Sequence, residues 1–157
     1  MWTCRAADNP LIVELIDGAT KGSEAWFERL ECEAESALHG KVLCVCAGAV
    51  IARRALVAEP GSPLSEQALA LLEGWIDEPT EARFAHIAAL LFGDDGGGPQ
   101  PELDEIAWWA LRVATSSVGN FEAGWALGAL CDVALNRGLA FEEVRTHGLA
   151  AVRERLK

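Results

Sequence analysis

The sequence predicts an all-α protein, and three observations lead to this class. Alanine and leucine dominate the composition and tyrosine is absent, which favours helix over sheet. Apolar residues recur at spacings of three and four along most of the chain, as one face of a helix requires. Capping residues, prolines and glycines divide the chain at short intervals. We therefore expect a bundle, or a short stack, of six to seven helices joined in antiparallel hairpins.

The chain has 157 residues, which is enough to bury one sizeable core, so we expect residues 1–157 to form a single domain. Residues 1–20 are an N-terminal segment, and 11–16 within it are as compatible with a strand as with a short helix. Residues 93–101 are rich in glycine, aspartate and proline, and they predict a flexible surface loop. This loop separates a front half from a back half, neither of which is long enough to form a comfortable domain alone.

The front half opens with a predicted helix over residues 24–38 that stops at Gly40. Residues 41–58 are apolar on nearly every side until Arg53, a pattern typical of a helix in the middle of a bundle. Gly48 would let a neighbouring helix approach this central helix closely.

Two further helices are predicted in the front half, over residues 64–77 and 81–92. Ser62 and Pro63 supply the cap and the first turn of the former, and Thr80 caps the latter after Pro79. The residues expected to face the core are Leu64, Ala68, Leu71, Leu72, Trp75 and Ile76 in one helix and Phe84, Ile87, Ala88 and Leu91 in the other.

The back half is predicted to hold a helix pair, 102–118 and 120–137, and a last helix over 141–156. The pair is hinged at Gly119 and Asn120, of which the latter is a good cap, and Gly138 is a good stop. Trp125 is expected in the core, and Gly124 and Gly128 beside it predict tight helix contacts.

Trp108 and Trp109 are adjacent in the first helix of that pair. Neighbouring helical residues point about 100° apart, so both indoles can be buried only if the helix is covered on two sides. Otherwise one indole lies at a groove or an interface, where tryptophans beside acidic residues are good protein-binding anchors. Core packing is the plainer alternative for each ring.

The formal net charge of −11 limits the classes of partner. A nucleic acid or an anionic membrane surface needs a basic footprint, so neither is expected as a partner. A basic protein surface would be attracted, and the charge would speed the encounter. The simpler explanation is that the negative net charge only keeps the protein soluble.

The cysteines and the apolar runs predict a cytoplasmic protein. There are five cysteines at irregular spacing, which favours reduced thiols. The first residues do not resemble a signal peptide. The longest apolar run, residues 42–52, is too short to span a bilayer.

An acidic face of the predicted 24–38 helix is a candidate site. It consists of Glu24, Glu28, Glu31 and Glu35. Such a face is either solvated, or a surface for a basic partner, or a holder of Mg²⁺. The Glu28-x-x-Glu31 spacing, together with residues 136–144, resembles all-helical nucleotide pyrophosphohydrolases, which implies Glu28 and Glu31 as metal ligands. That family also needs a second pair, E-x-x-D, but here the matching stretch runs from Glu122 to Trp125 and lacks the aspartate.

A second resemblance rests on the order of features. Residues 44–54 are followed by the break at 60–63, then by Leu71-Leu72-Glu73-Gly74-Trp75 and by Pro79-Thr80-Glu81-Ala82-Arg83 opening an alanine-rich helix. Over roughly residues 40–135 this order is similar to that of small all-helical bacterial immunity proteins. The resemblance implies stoichiometric binding of a toxin domain, without catalysis and without a cofactor.

The sequence therefore favours a non-catalytic, acidic, helical protein-binding module of the immunity or inhibitor kind. The residues expected to contact the partner are Trp108, Trp109, Glu24, Glu28, Glu31 and Glu35. One alternative is a magnesium-dependent pyrophosphohydrolase-like protein with Glu28 and Glu31 as ligands. The other is a helical scaffold that forms a homodimer through the face of Trp108 and Trp109.

Overall fold

The computed structural model describes residues 37–92, 102–116 and 122–156, and these residues form six helices without any strand. The helices are α1 (Ala37–Ala58), α2 (Pro63–Asp77), α3 (Glu81–Phe92), α4 (Glu105–Ala114), α5 (Glu122–Asn136) and α6 (Phe141–Leu156). The all-α prediction is confirmed. None of the described helices is both long and apolar enough to cross a bilayer.

Helix α1 is the centre of this arrangement. Four helices, α2, α4, α5 and α6, pack on it, and α3 packs on the outside of α2 and α4. Leu43 and Ile51 of α1 are completely buried, and burial of a side chain of this size contributes about 1.5–3 kcal/mol. The central position predicted from the apolar character of 41–58 is confirmed.

The predicted stop at Gly40 is wrong, because α1 begins at Ala37 and passes through Gly40 without a break. Glycine inside a helix costs about 1 kcal/mol relative to alanine, and the burial of the residues that follow it outweighs this cost. Gly48 does face a neighbouring helix, as predicted. A Cβ there would lie 3.4 Å from Leu127 Cδ1 of α5, which is an ordinary van der Waals distance, so α5 packs close without requiring a glycine.

One charged residue of α1 lies in this apolar environment. Lys41 is only 4% exposed, and its Nζ lies 5.5 Å from the ring centroid of Trp75 and 4.9 Å from that of Phe84. A cation over aromatic faces is attracted by their quadrupoles, more strongly where water is excluded. Lys41 therefore links α1 to α2 and α3, a contact that the sequence pattern did not predict.

The predicted starts of α2 and α3 are confirmed by their capping bonds. The backbone N–H of Ser65 donates to Ser62 Oγ at 3.3 Å, with Pro63 in the first turn of α2. The backbone N–H of Arg83 donates to Thr80 Oγ1, also at 3.3 Å, at the start of α3. The first backbone N–H groups of a helix have no acceptor within that helix, and these side-chain oxygens supply one.

The apolar stripes of α2 and α3 are confirmed with one addition. The predicted residues Ala68, Leu72, Trp75, Ile76, Ile87 and Leu91 are buried, while Leu64, Leu71, Phe84 and Ala88 are partly buried. Leu69, which the predicted stripe omits, is completely buried. The buried face of α2 is therefore rotated toward Leu69 relative to the prediction.

The back half differs from the prediction at its start. Helix α4 begins at Glu105 rather than at 102, because Asp104 is its cap: the Ile106 backbone N–H donates to Asp104 Oδ1 at 2.9 Å. The predicted hinge at Gly119 and Asn120 and the predicted loop at 93–101 lie outside the described residues. Gly138 has φ +95° after the end of α5, a conformation that favours glycine, so the predicted stop there is confirmed.

A partly buried polar network joins the starts of α2 and α4 to the end of α5. The Asp104 N–H donates to Ser65 Oγ at 3.0 Å, and Ser62 Oγ donates to the Glu102 carbonyl at 2.6 Å. Arg137 Nη2 donates to Asp104 Oδ1 at 2.5 Å, and both side chains of this ion pair are less than one-fifth exposed. Hydrogen bonds are directional, so this network fixes the register of three helix ends.

We expect Asp104→Ala to lower the free energy of unfolding by about 2–4 kcal/mol, because it removes the α4 cap and leaves the Arg137 charge without its partner. Asp104→Asn keeps a capping oxygen and should cost less. Urea denaturation followed by circular dichroism measures both losses. Glu59→Gln, in an exposed position between α1 and α2, should stay within about 0.5 kcal/mol of wild type. Equal stability of Asp104→Ala and Glu59→Gln would contradict a structural role for the network.

Candidate protein-binding surface

The outward side of the α4–α5 pair carries three tryptophans. On α4, the partly or fully exposed residues Glu105, Trp108, Trp109 and Arg112 follow the spacing of one helical face. On α5 the corresponding face consists of Trp125, Gly128, Ala129 and Asp132. We call these eight residues the tryptophan face.

The three indoles form one chain of edge contacts. The ring centroids of Trp108 and Trp109 are 4.8 Å apart with the planes at 87°, and those of Trp109 and Trp125 are 5.5 Å apart at 75°. Such edge-to-face pairs contribute about 0.5–1.5 kcal/mol beyond the area they bury. Trp109 contacts both other rings, so the indole of Trp125 at the surface packs against a second indole.

Trp108 and Trp109 are both partly buried, so neither indole is fully exposed to solvent. Trp108 Nε1 is buried, and no hydrogen-bond acceptor for it lies in the described part of the chain. A buried donor of this kind costs about 1–3 kcal/mol. One side of α4 therefore packs in the core, and the two adjacent indoles lie at the boundary between that side and the solvent.

The core position predicted for Trp125 is wrong, because its side chain is 56% exposed. Its spacing from Ala129 and Asp132 puts it on the outward face of α5, whereas Ala123, Ala126 and Leu127 face the core. The prediction took size and apolarity as signs of burial. Small residues lie on both faces of α5, so the sequence offered no signal that could have corrected it.

The tight contact predicted at Gly128 is also wrong. A Cβ added at Gly128 would meet nothing within 4 Å in the described part of the chain, and Gly128 is only partly buried. Gly124 is buried. Gly128 and Ala129 therefore form a low, flat step next to the exposed ring of Trp125, with room for side chains from outside the chain.

Acidic groups surround this aromatic surface. Glu105 and Asp132 are exposed, and Glu122 lies at the first turn of α5. The single cation of the tryptophan face, Arg112, has its Nη2 at 3.6 Å from Glu122 Oε2 and also donates to Ser116 Oγ at 3.2 Å. The surface therefore combines apolar rings with a negative rim.

The other predicted contact residues, Glu24, Glu28, Glu31 and Glu35, lie outside the described residues, and so do the proposed metal ligands Glu28 and Glu31. Within the described residues no group of three or more His, Cys, Asp or Glu side chains is arranged to hold a metal ion. Cys44 and Cys131 are buried there, and Cys46 Sγ donates to the Ala151 carbonyl of α6 at 3.6 Å. The structure thus brings together Trp108 and Trp109 of the predicted site and adds Trp125.

Comparisons with protein-family models, with characterised proteins and with solved structures find no match for this chain.

The exposure of Trp125 predicts a fluorescence difference between two single substitutions. Trp125→Phe should remove a large part of the tryptophan emission that acrylamide quenches, because this ring is open to solvent. Trp75→Phe removes a ring that is 3% exposed, so it should lower total emission and leave the quenched part nearly unchanged. Stern–Volmer slopes for wild type and both variants provide the measurement, and equal slopes for the two variants would contradict the exposed position.

The open space at Gly128 predicts that Gly128→Ala raises the free energy of unfolding by about 0.5–1 kcal/mol, because alanine is the better helix former and meets no neighbour. Gly148→Ala in α6 is the matched comparison, since its Cβ would lie 3.3 Å from Ile51 Cδ1, closer than most such contacts, and it should gain less or lose stability. Urea denaturation of both variants tests this. A destabilised Gly128→Ala would show that another part of the chain packs on this face.

Proposed function

We propose that this protein is a non-catalytic binding module that recognises another protein through the tryptophan face. The observation that carries the proposal is the 56% exposed ring of Trp125, supported from behind by Trp109. A large apolar ring left in water is unfavourable by itself, and tryptophan is among the residues that most often dominate the energy of protein interfaces.

The shape of the face favours a protein partner over a small molecule. Small ligands are usually held in concave pockets that bury most of their surface. Here the raised ring of Trp125 stands beside the flat step of Gly128 and Ala129, which suits a complementary surface with a pocket for the indole. Partial burial of Trp108 and Trp109 places the apolar centre next to polar groups, the usual organisation of an interface.

The charge supports a basic partner. Glu105, Glu122 and Asp132 give the face a negative rim, and the whole chain has a net charge of −11. Opposite charges on the partner would accelerate association and discriminate against acidic proteins. An inhibitor or immunity protein of a bacterial cytoplasm, which neutralises a basic toxin domain by forming a stoichiometric complex, fits this combination.

The test is co-purification with each protein encoded beside this chain's gene, followed by isothermal titration calorimetry of any pair that forms. We expect a complex of fixed stoichiometry whose dissociation constant rises about 30-fold or more in Trp125→Ala, which corresponds to a loss of about 2 kcal/mol. Gly128→Lys should also weaken binding, because it puts a bulky cation on the step.

Ala89→Lys is the matched control, since it adds the same charge at an exposed position of α3, outside the tryptophan face. It should change the affinity less than twofold. Absence of any complex at micromolar concentration would overturn the proposal. Light scattering of the protein alone distinguishes the homodimer alternative, because a dimer that Trp125→Ala dissociates would mean that a second copy occupies the face.

A further inference from the structure

A groove of about 650 Å³ runs along one side of the central helix α1. Helices α2, α4, α5 and α6 all pack on α1, and each packs on the next in that order, but α2 and α6 make no extended contact with each other. Among the described helices, the ring around α1 is therefore open between α6 and α2. The groove lies at this opening, on the other side of α1 from the α4–α5 pair.

The floor of the groove is a continuous stripe of α1. It consists of Cys46, Ala49, Val50, Arg53, Arg54 and Val57. These positions repeat at three- and four-residue intervals over about 16 Å, which is three helical turns. Ile76 of α2 and Ala151 of α6 form apolar parts of the two walls. Val57 is 77% exposed, so the apolar stripe continues to the open end of the groove.

The two arginines of the stripe are both paired with carboxylates of the same chain. Arg53 donates to Glu73 at 2.5 Å and to Glu66 at 2.8 Å, and Arg54 donates to Glu143 at 2.5 Å. The hydrogen bond to Glu73 is the main reason that the pKa of Arg53 is raised above its ordinary value, with a smaller opposing effect of burial. Arg53 is therefore charged at every accessible pH, and its charge is already balanced.

The α6 wall carries further negative charge. Glu154 is exposed and lines the groove. Together with Glu66, Glu73 and Glu143, which pair with the two arginines, this makes four carboxylates beside two guanidinium groups among the side chains described there, a local net charge of −2. A cationic ligand is therefore favoured over an anionic one.

We propose that this groove binds a basic amphipathic helix of a partner protein. Three turns of such a helix match the length of the stripe, with their apolar side on Val50, Val57 and Ile76 and their lysines or arginines toward Glu154. This is the helix-in-groove mode of recognition, in which residues at spacings of three and four anchor the ligand. The inference is independent of the tryptophan face, because no residue is shared between the two surfaces.

The probe is a fluorescein-labelled peptide of about fourteen residues, about 21 Å long as a helix. Leucines at helical spacing form one side, and lysines and alanines form the other. Fluorescence anisotropy in 150 mM NaCl, which screens distant charges, should show binding at micromolar concentration. A peptide of the same composition in scrambled order, and one with glutamate in place of lysine, should each bind at least tenfold more weakly.

Val57→Lys and Ala89→Lys separate the groove from the overall charge. Both add one cation at an exposed position, but only Val57 lies in the groove. We expect Val57→Lys to weaken peptide binding at least tenfold and Ala89→Lys less than twofold. Glu154→Gln should weaken binding about two- to fivefold, as expected for one exposed ion pair.

Three outcomes would overturn the proposal: equal binding of the scrambled peptide, equal effects of Val57→Lys and Ala89→Lys, or preference for the glutamate peptide. Trp125→Ala should leave peptide binding unchanged. Loss of peptide binding in that variant would assign the peptide to the tryptophan face instead. Because Val57 and Trp125 are both exposed, loss of folding does not explain either result, and circular dichroism of each variant checks this directly.

Discussion

The burial of α1 is the constraint on which the rest of this structure depends. A helix that is apolar on nearly every side is unstable in water unless other helices cover it, and four helices do so here. This requirement explains why the chain returns to α1 from both halves of the sequence. It also explains why the single side that the described helices leave open, the stripe from Cys46 to Val57, carries two arginines that reach carboxylates of α2 and α6.

Apolar packing brings the helices together, but the polar network at Asp104 sets how they meet. The hydrophobic effect has no direction, so apolar stripes alone tolerate sliding and rotation. Asp104 caps α4, receives a bond from Arg137 after α5 and donates its own N–H to Ser65 of α2. Hence α2, α4 and α5 meet at one point with a fixed register. The tryptophan face, which is built from two of these helices, inherits its geometry from that point.

Two surfaces on different sides of α1 result from this arrangement. The tryptophan face displays a supported indole beside a flat step, whereas the groove offers a concave apolar strip between acidic walls. Of the first surface, Trp108 and Trp109 could be identified from sequence because adjacent helical residues diverge in direction. Neither Trp125 nor the groove could be identified in this way. Exposure of Trp125 depends on which side of α5 faces α1, and the groove depends on two helices that fail to meet.

Local sequence determined the features whose energy is local. The caps at Ser62 and Thr80 and the positive φ at Gly138 follow from interactions within a few residues, so the sequence predicted them correctly. The all-α class and the central position of 41–58 followed from periodicity and composition. Tertiary structure decided the passage of α1 through Gly40, the rotation of α2 toward Leu69 and the outward position of Trp125. At Gly40, burial of the following residues against distant segments outweighs a local cost of about 1 kcal/mol. At Leu69 and Trp125, the side of the helix that is buried depends on where the neighbouring helices lie, and no local pattern records that.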